Sequence, residues 1–231
     1  MRVLAESAFL LHARPYRETS ALVELFTRDY GRIAAVARGV RASKPRLQRG
    51  ALSPFQFLSI DFLQQGDLAL LLAVEVVGHP LYFTGTKLQS ALYVNELLTR
   101  LTERNDPHAA VFQRYAALLA ELPECAHLGW TLRRFERDLL ALLGYGLQLG
   151  QETASGLPLD PLADYAYEPG HGPRLWSEQS SALRCRGSEL LALQADQQPD
   201  AQVLGKLRQL MRTVIRHHLG GRELDAWRVF R

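Results

Sequence analysis

The first 79 residues contain five short apolar runs that are separated by turn residues at intervals of roughly ten to fifteen. The turns between them read RPYRE, RDYG and QQGD, and each places glycine or proline beside polar residues. Five strands in so short a span lose their exposed edges when they close into a small barrel. The pattern therefore predicts a five-stranded OB-fold barrel, with strands over 3–13, 19–26, 32–37, 52–62 and 68–77.

Beyond residue 79 the apolar spacing changes from two residues to about 3.6, which is the period of an amphipathic helix. The first helix is predicted from Leu88, with Ala91, Val94, Leu98 and Leu101 on one face. Further helices are predicted over 109–121, 130–143 and 201–219, and glycines follow the last two.

Residues 147–187 form the least regular part of the chain, rich in Gly, Pro and Ser, with short β-like fragments such as DYAYEP. The sequence as a whole therefore predicts an α+β protein with two domains. An OB-fold barrel covers 1–79, and an all-α domain covers 80–231 with the irregular insertion at 147–187.

A basic segment runs from Arg28 to Arg49, where seven Lys and Arg side chains accompany a single acid, Asp29. A run of charges is usually a solvated loop, but here one acid cannot offset the repulsion among so many cations. Cationic groups that neutralise phosphates release condensed counterions, and this drives binding that does not depend on base sequence. We therefore expect the segment to contact a nucleic acid.

Aromatic residues would help such a segment to bind single strands, because bases stack on aromatic rings for about 1–3 kcal/mol each. Tyr16, Tyr30, Phe55 and Phe57 lie near the basic segment in the sequence. Strand alternation leaves open which face of the fourth strand is the core. Packing is the favoured interpretation for both phenylalanines.

The last long helix carries Arg208, Arg212 and Arg216 at a spacing of four residues, beside an apolar stripe. Such an edge suits an acidic peptide with an apolar anchor, because arginine binds carboxylates in bidentate pairs. Arg133 and Arg137 on the preceding helix could extend the edge. Periodicity alone favours a simpler interpretation, in which the apolar stripe faces the core and the arginines face water.

Several other functions find no support in the sequence. Only Cys125 and Cys185 occur, which favours a reducing cytoplasm over a disulfide-stapled secreted protein. No apolar run reaches the roughly 18 residues that a membrane span needs, and the start of the chain lacks a signal-peptide pattern. Phosphate-loop, dinucleotide, CxxC and HExxH motifs are also absent. We expect a cytoplasmic protein that is not an enzyme.

The order and spacing of several longer motifs resemble the RecO family of bacterial DNA repair and recombination mediators. In the first half these motifs are AFLLHARPYRETSALVELFTRDYGRIAAVARGVR and LQRGALSPFQFL. In the second half they are YVNELLTRL, LRRFERDLLALLGYG and HHLGGREL. The resemblance runs nearly end to end and implies an N-terminal OB-fold followed by a helical domain.

The resemblance also implies a function, partners and association with the nucleoid. RecO proteins bind single- and double-stranded DNA, anneal complementary strands, associate with RecR, and help RecA load onto DNA coated by single-stranded-DNA-binding protein. The family's DNA contacts match the basic surface of the barrel, which here carries Arg14, Arg17, Arg38, Arg41, Lys44, Arg46 and Arg49. In some members the acidic tail of the single-stranded-DNA-binding protein docks on the helical domain, which matches Arg133, Arg134, Arg208, Arg212 and Arg216.

This chain departs from the family pattern at one place. Many RecO proteins hold a zinc ion with four cysteines after LGYG, but the corresponding stretches here, LGQETASGL and RLWSEQS, contain no cysteine. We predict no metal and no cofactor, with the insertion held by packing of Tyr165, Tyr167 and Trp176. Two alternatives stay open: an adapter whose main task is to bind the acidic tail, and an RNA-binding OB protein.

Overall fold

The computed structural model describes residues 1–42 and 52–229. The chain divides into two compact units, one formed by Met1–Pro123 with Leu224–Arg231 and the other by Glu124–Glu223. The domain boundary at residue 79 follows the change of periodicity in the sequence, and it stays a prediction. None of the described helices combines the length and the apolar character that a membrane crossing requires.

The first unit contains the predicted barrel. Its strands are β1 (Arg2–Tyr16), β2 (Ser20–Thr27), β3 (Gly31–Ala37), β4 (Phe57–Gln65) and β5 (Leu68–Val76). They close in the order β1-β2-β3-β5-β4. The β3 and β5 strands are parallel, and the other pairs are antiparallel. The predicted OB-fold barrel is confirmed.

Several strand ends differ from the predicted ones, and two of these differences have a clear local reason. The fourth strand begins at Phe57 rather than at residue 52, because Phe55 takes a left-handed backbone with φ of 68°. Gln56 then turns away to exchange hydrogen bonds with the backbone of Leu81. At the first hairpin β1 continues to Tyr16, and the turn begins at Arg17, whose φ is 52°.

The barrel core settles which face of β4 points inward. Leu58, Ile60 and Phe62 are fully buried inside the barrel with residues such as Leu25 and Ile33. Because side chains alternate along a strand, Phe57 must point outward. A slip of one residue would turn the whole apolar set to the outside, so the register is strongly determined.

An aromatic cluster holds helices against the outer face of the barrel. Helices α1 (Gly85–Leu101) and α2 (Ala109–Glu121) follow the barrel in this unit. The Phe9 ring lies 5.2 Å from that of Phe112 and 5.0 Å from that of Tyr115, measured between centroids. Each such pair adds about 0.5–1.5 kcal/mol beyond simple burial. Buried Asn95 donates a 3.1 Å hydrogen bond to the Leu11 carbonyl and accepts one of 2.5 Å from the Tyr115 hydroxyl.

The second unit combines helices with a small antiparallel sheet. It contains α3 (Leu128–Leu142), β6 (Asp164–Glu168), β7 (Gly172–Leu175), β8 (Leu183–Arg186), α4 (Gly187–Gln194) and α5 (Ala201–His218), while the short α6 (Asp225–Val229) belongs to the first unit. The predicted β-like insertion is a three-stranded sheet in the order β7-β6-β8. The sequence did not predict α4, because eight residues span too few turns to show a helical period.

Candidate nucleic-acid interface

A groove of about 440 Å³ lies on the outside of the barrel. It is formed by the β1–β2 turn, the last residues of β3 with the segment that follows, and the start of β5. Arg17, Arg38 and Tyr16 lie on its walls, and the apolar side chains of Val36, Leu68 and Leu70 also line it. The rest of the lining consists of Thr19, Ser20, Gly39, Gln65 and Ala69. None of the described residues that line it is acidic. OB-folds bind oligonucleotides on this face, between the β1–β2 and β4–β5 loops.

The strand register brings these groove residues together. Ala21 pairs with Ala37, so the β1–β2 turn lies beside the end of β3. The backbone N–H of Arg41 also donates a 2.8 Å hydrogen bond to the Thr19 carbonyl. Residues that are more than twenty positions apart in the sequence therefore share one surface.

The predicted DNA-contact residues fall into two groups. Arg14, Arg17, Arg38 and Arg41 are exposed at this end of the barrel, and Arg17 and Arg38 line the groove itself. The other three, Lys44, Arg46 and Arg49, lie outside the described residues. The assignment of all seven to DNA contacts stays a prediction.

Two arginines of the basic segment lie at the opposite end of β3 and are engaged in ion pairs. Arg28 binds Asp29 at 2.8 Å, and this hydrogen bond lowers the pKa of the Asp29 carboxyl. Arg32 forms an ion pair with Glu24 of the neighbouring strand. Arg104 pairs with the same carboxylate at 2.7 Å. Arg28 thus pairs with Asp29, the one acid counted within the segment. The expectation that no further ion pair offsets the charge of the segment is wrong for Arg32, because Glu24 comes from another strand.

Three of the four aromatic residues near the segment are used in packing. The Phe55 ring lies 5.3 Å from that of Phe83, Phe57 lies 5.3 Å from Phe9, and Tyr30 meets Phe62 edge-on at 5.5 Å. The packing interpretation of both phenylalanines is confirmed. Tyr16 differs, because it is half-buried at the wall of the groove, with the Arg17 guanidinium 5.2 Å from its ring centroid.

A second candidate surface lies on α5 in the other unit. Arg208 and Arg216 are exposed and Arg212 is half-buried, while the apolar stripe beside them is buried. Arg216 donates a 3.1 Å hydrogen bond to the Gly221 carbonyl. The sequence therefore placed the three arginines on one edge, and the simpler interpretation of the apolar stripe as core is confirmed.

The arginines of α3 are held by acids of their own unit. Arg133 is buried and forms a bidentate pair with the buried carboxylate of Glu136. Arg134 contacts Asp196 at 3.1 Å, and Arg137 contacts the same residue at 2.8 Å. This engagement weighs against a direct role for Arg133 and Arg134 in binding a peptide carboxylate, and their assignment stays a prediction.

The insertion is filled by aromatic and thiol side chains. Tyr165, Tyr167 and Cys185 are buried, and Tyr165 stands opposite Cys185 across the β6–β8 pair. Burial raises the pKa of the Cys185 thiol to about 12. Trp176 is half-buried beneath the Arg184 guanidinium. Among the residues that the structure describes, no group of three His, Cys, Asp or Glu could hold a metal, and the lack of zinc stays a prediction.

Comparison with known proteins matches both parts of the chain to one family. The model of the recombination protein O N-terminal region matches residues 1–79, and that of the C-terminal region matches residues 83–228.

Curated relatives with the name DNA repair protein RecO cover nearly the whole chain. The protein of Stenotrophomonas maltophilia (strain R551-3) is 43% identical over 98% of this chain and 96% of its own length. The protein of Xylella fastidiosa (strain M12) is 42% identical over 98% of this chain and 95% of its own length. The protein of Nitrosococcus oceani is 42% identical over 98% of this chain and 92% of its own length. Together with the OB-fold barrel and the helical region that follows it, these matches show that the chain belongs to the RecO family.

Proposed function

We propose that this protein binds single- and double-stranded DNA through the barrel groove and anneals complementary strands during recombinational repair. Membership of the RecO family supports a role in DNA repair and recombination. The main observation in support of the proposal is the groove. It has two arginines and no acid among its described lining residues. It also occupies the position that OB-folds use for oligonucleotides.

Cationic side chains on the barrel would contact phosphates without reading bases. Arg17 and Arg38 in the groove, with exposed Arg14 and Arg41 nearby, can each take the place of condensed counterions on a DNA backbone. Contacts of this kind position a nucleic acid but carry no sequence information. Binding should therefore accept any sequence, which suits a protein that brings complementary strands together.

Annealing by this route needs no chemical step. Base pairing supplies the driving force, and the protein lowers the electrostatic repulsion between two strands that carry the same charge. We therefore propose a mediator that is not an enzyme. Membership of the RecO family supports the further proposal that it works with RecR and helps RecA load onto DNA coated by single-stranded-DNA-binding protein.

Salt dependence tests the phosphate contacts. Fluorescence anisotropy would give the affinity of the full chain for a labelled single strand and for a duplex at about 50 and 200 mM salt. We expect binding to weaken steeply over this range for both DNAs. An affinity that does not change with salt would exclude the phosphate-contact mechanism.

A second candidate function, as an adapter for an acidic peptide, is favoured by the arginine edge of α5. Arg208, Arg212 and Arg216 recur every four residues along this helix, and Arg208 and Arg216 are exposed. We propose that they receive the acidic tail of the single-stranded-DNA-binding protein, since arginine pairs with carboxylates.

Titration calorimetry with the tail peptide tests the adapter. The triple variant Arg208→Ala/Arg212→Ala/Arg216→Ala should lose most of the affinity for the peptide and keep that for DNA. Unchanged peptide binding would remove the adapter function and leave the DNA-binding proposal intact. Competition between DNA and RNA strands of the same sequence separates DNA binding from a role as an RNA-binding OB protein.

A further inference from the structure

We infer that the groove holds unpaired bases as well as phosphates, with Tyr16 as the stacking surface, so that it favours single strands over duplex DNA. This inference rests on the proposed function of the groove, and it goes beyond that proposal by assigning a base-contacting part and a substrate preference. It follows from the chemical division of the groove, from the position of Tyr16 and from the size of the space.

The lining of the groove includes a cationic part and an apolar part, beside the polar residues Thr19, Ser20 and Gln65. Arg17 and Arg38 supply the cationic part. The apolar part is built from adjacent strands, because Val36 of β3 pairs with Leu70 of β5, and Leu68 lies two residues earlier on β5. Leu68 keeps 39% of its surface exposed. In a duplex the apolar faces of the bases are stacked inside and only base edges are presented in the grooves, so an apolar surface beside a phosphate site cannot reach those faces.

A single strand offers partners for both parts. Its bases can turn away from the backbone, and their apolar faces are suited to aliphatic and aromatic side chains. The phosphates then remain free to contact the arginines. A single-stranded nucleic acid therefore matches both features of the groove. Its phosphates complement the charge of the arginines, and its bases cover the apolar side chains.

Tyr16 occupies the junction between the two parts. It ends β1, lies at the wall of the groove and remains half-exposed. The guanidinium of Arg17 lies 5.2 Å from the centroid of its ring. A base stacked on Tyr16 would place its own phosphate within reach of this charge. Of the four aromatic residues near the basic segment, it is the one for which the described chain shows no aromatic ring contact. Because Arg17 covers one face of the ring, a base would have to stack on the other face.

The size of the groove agrees with this use. Its volume of about 440 Å³ lies within the roughly 300–1,000 Å³ of small-molecule pockets. It can therefore take a nucleobase. Specific hydrogen bonds to base edges are not required, because every base has a face that can stack.

Three labelled probes of equal length separate base contacts from phosphate contacts: an oligothymidine, an abasic strand and a duplex. Their affinities for the full chain would be measured by fluorescence anisotropy. The wild-type protein should bind the oligothymidine more tightly than the abasic strand. Tyr16→Ala should weaken oligothymidine binding about tenfold, which is ~1.4 kcal/mol and within the range for one base stacked on an aromatic ring.

The other probes and variants serve as controls. Tyr16→Ala should leave the affinities for the abasic strand and the duplex unchanged. Tyr16→Phe should bind all three probes like the wild type, because it keeps the ring. Tyr82→Ala removes a tyrosine that is 83% exposed and does not line the groove, and it should also behave like the wild type. Arg38→Ala should weaken the binding of all three probes.

The outcomes distinguish this inference from the function on which it rests. If Tyr16→Ala binds oligothymidine normally, or weakens all three probes equally, while Arg38→Ala weakens all three, then base stacking is wrong and DNA binding by the groove stands. If Arg38→Ala has no effect on any probe, the proposed function fails as well. Equal affinity of the wild type for oligothymidine and the abasic strand would overturn the inference even if Tyr16→Ala did not fold.

Discussion

The backbone N–H of Arg41 donates a 2.8 Å hydrogen bond to the carbonyl oxygen of Thr19. This bond ties the segment that leaves β3 to the β1–β2 turn, where Arg17 lies. The two parts of the groove wall that carry Arg17 and Arg38 are therefore held together by the backbone of the barrel. Substitutions of the Arg17 and Arg38 side chains should therefore change the affinity for DNA without disturbing the hydrogen bond between Arg41 and Thr19.

Replacing the two groove arginines should reduce both DNA affinity and its salt dependence. In the variant Arg17→Ala/Arg38→Ala, we expect the slope of log affinity against log salt to fall by about 1.4 for single strands, since each phosphate contact contributes about 0.7. Anisotropy titrations across several salt concentrations give this slope. Arg28→Ala is the matched control, because Arg28 belongs to the same basic segment but pairs with Asp29. A double variant that keeps the wild-type slope would show that these arginines do not contact phosphates.

Glu24 should be important for stability rather than for DNA binding. Its carboxylate pairs with Arg32 and Arg104, and the Glu24 and Arg32 side chains are only 11% and 12% exposed. Glu24→Gln leaves two arginines without their counter-charge, and breaking a largely buried pair costs about 3 kcal/mol. Chemical denaturation measures the free energy of unfolding. Glu75→Gln, at an exposed position on β5, should change it little, and equal effects of the two substitutions would contradict this account.

Gly31 should not tolerate a side chain, because the backbone of Asp106 lies too close to it. A Cβ placed there would lie 2.1 Å from the carbonyl oxygen of Asp106, and its φ of +66° already disfavours other residues. Gly78 has a similar φ of +78°, but within the described chain nothing lies within 4 Å of its added Cβ.

The comparison of Gly31→Ala with Gly78→Ala isolates this close approach. Both variants pay the backbone cost of roughly 1–2 kcal/mol. Gly31→Ala should lose about 1–3 kcal/mol more, since it also forces neighbouring atoms apart. Thermal or chemical unfolding of the two variants gives the difference. Equal losses would mean that the β2–β3 turn does not press against Asp106.

The two cysteines should differ sharply in reactivity. Burial raises the pKa of Cys185 to about 12, so at pH 8 only roughly one thiol in ten thousand is the reactive thiolate. Cys125 is less buried. A thiol-reactive chromophore added to the native protein should therefore label one cysteine quickly and the second only after unfolding. Cys125→Ser should abolish the fast phase, whereas fast labelling that persists in this variant would show that the insertion does not bury Cys185.

Alternation of apolar residues predicted the barrel, but it could not identify the inner face of β4. Leu58, Ile60 and Phe62 fill the barrel, while Phe57 on the opposite face packs against Phe9. Both faces of this strand are therefore covered, and the contrast between buried and exposed positions that usually reveals the core is lost.

The long apolar period of α5 and the glycines that follow it predicted this helix over 201–219, close to the observed Ala201–His218. Asp200 accepts a 2.8 Å hydrogen bond from the N–H of Val203 at the start of α5, and aspartate is a favoured residue at this position. The eight residues of α4 offer no comparable period. Tertiary packing therefore decides whether so short a segment becomes a helix.

The candidate site was predictable as a region but not as a set of contacts. The count of charges between Arg28 and Arg49 located the basic segment, yet Arg32 is bound to Glu24, which is eight residues earlier in the sequence. Cross-strand neighbours depend on the register of the barrel, which a local count of charges does not contain. For the same reason the sequence did not single out Tyr16.

The rate of strand annealing tests the central claim most directly. Two complementary oligonucleotides, one with a fluorophore and one with a quencher, would be mixed with the wild-type protein or with Arg17→Ala/Arg38→Ala at equal concentration. We predict that the wild type accelerates annealing well above the rate without protein and that the double variant loses most of this acceleration. A folded double variant that anneals the strands as fast as the wild type would contradict the assignment of the groove as the site of DNA binding and annealing.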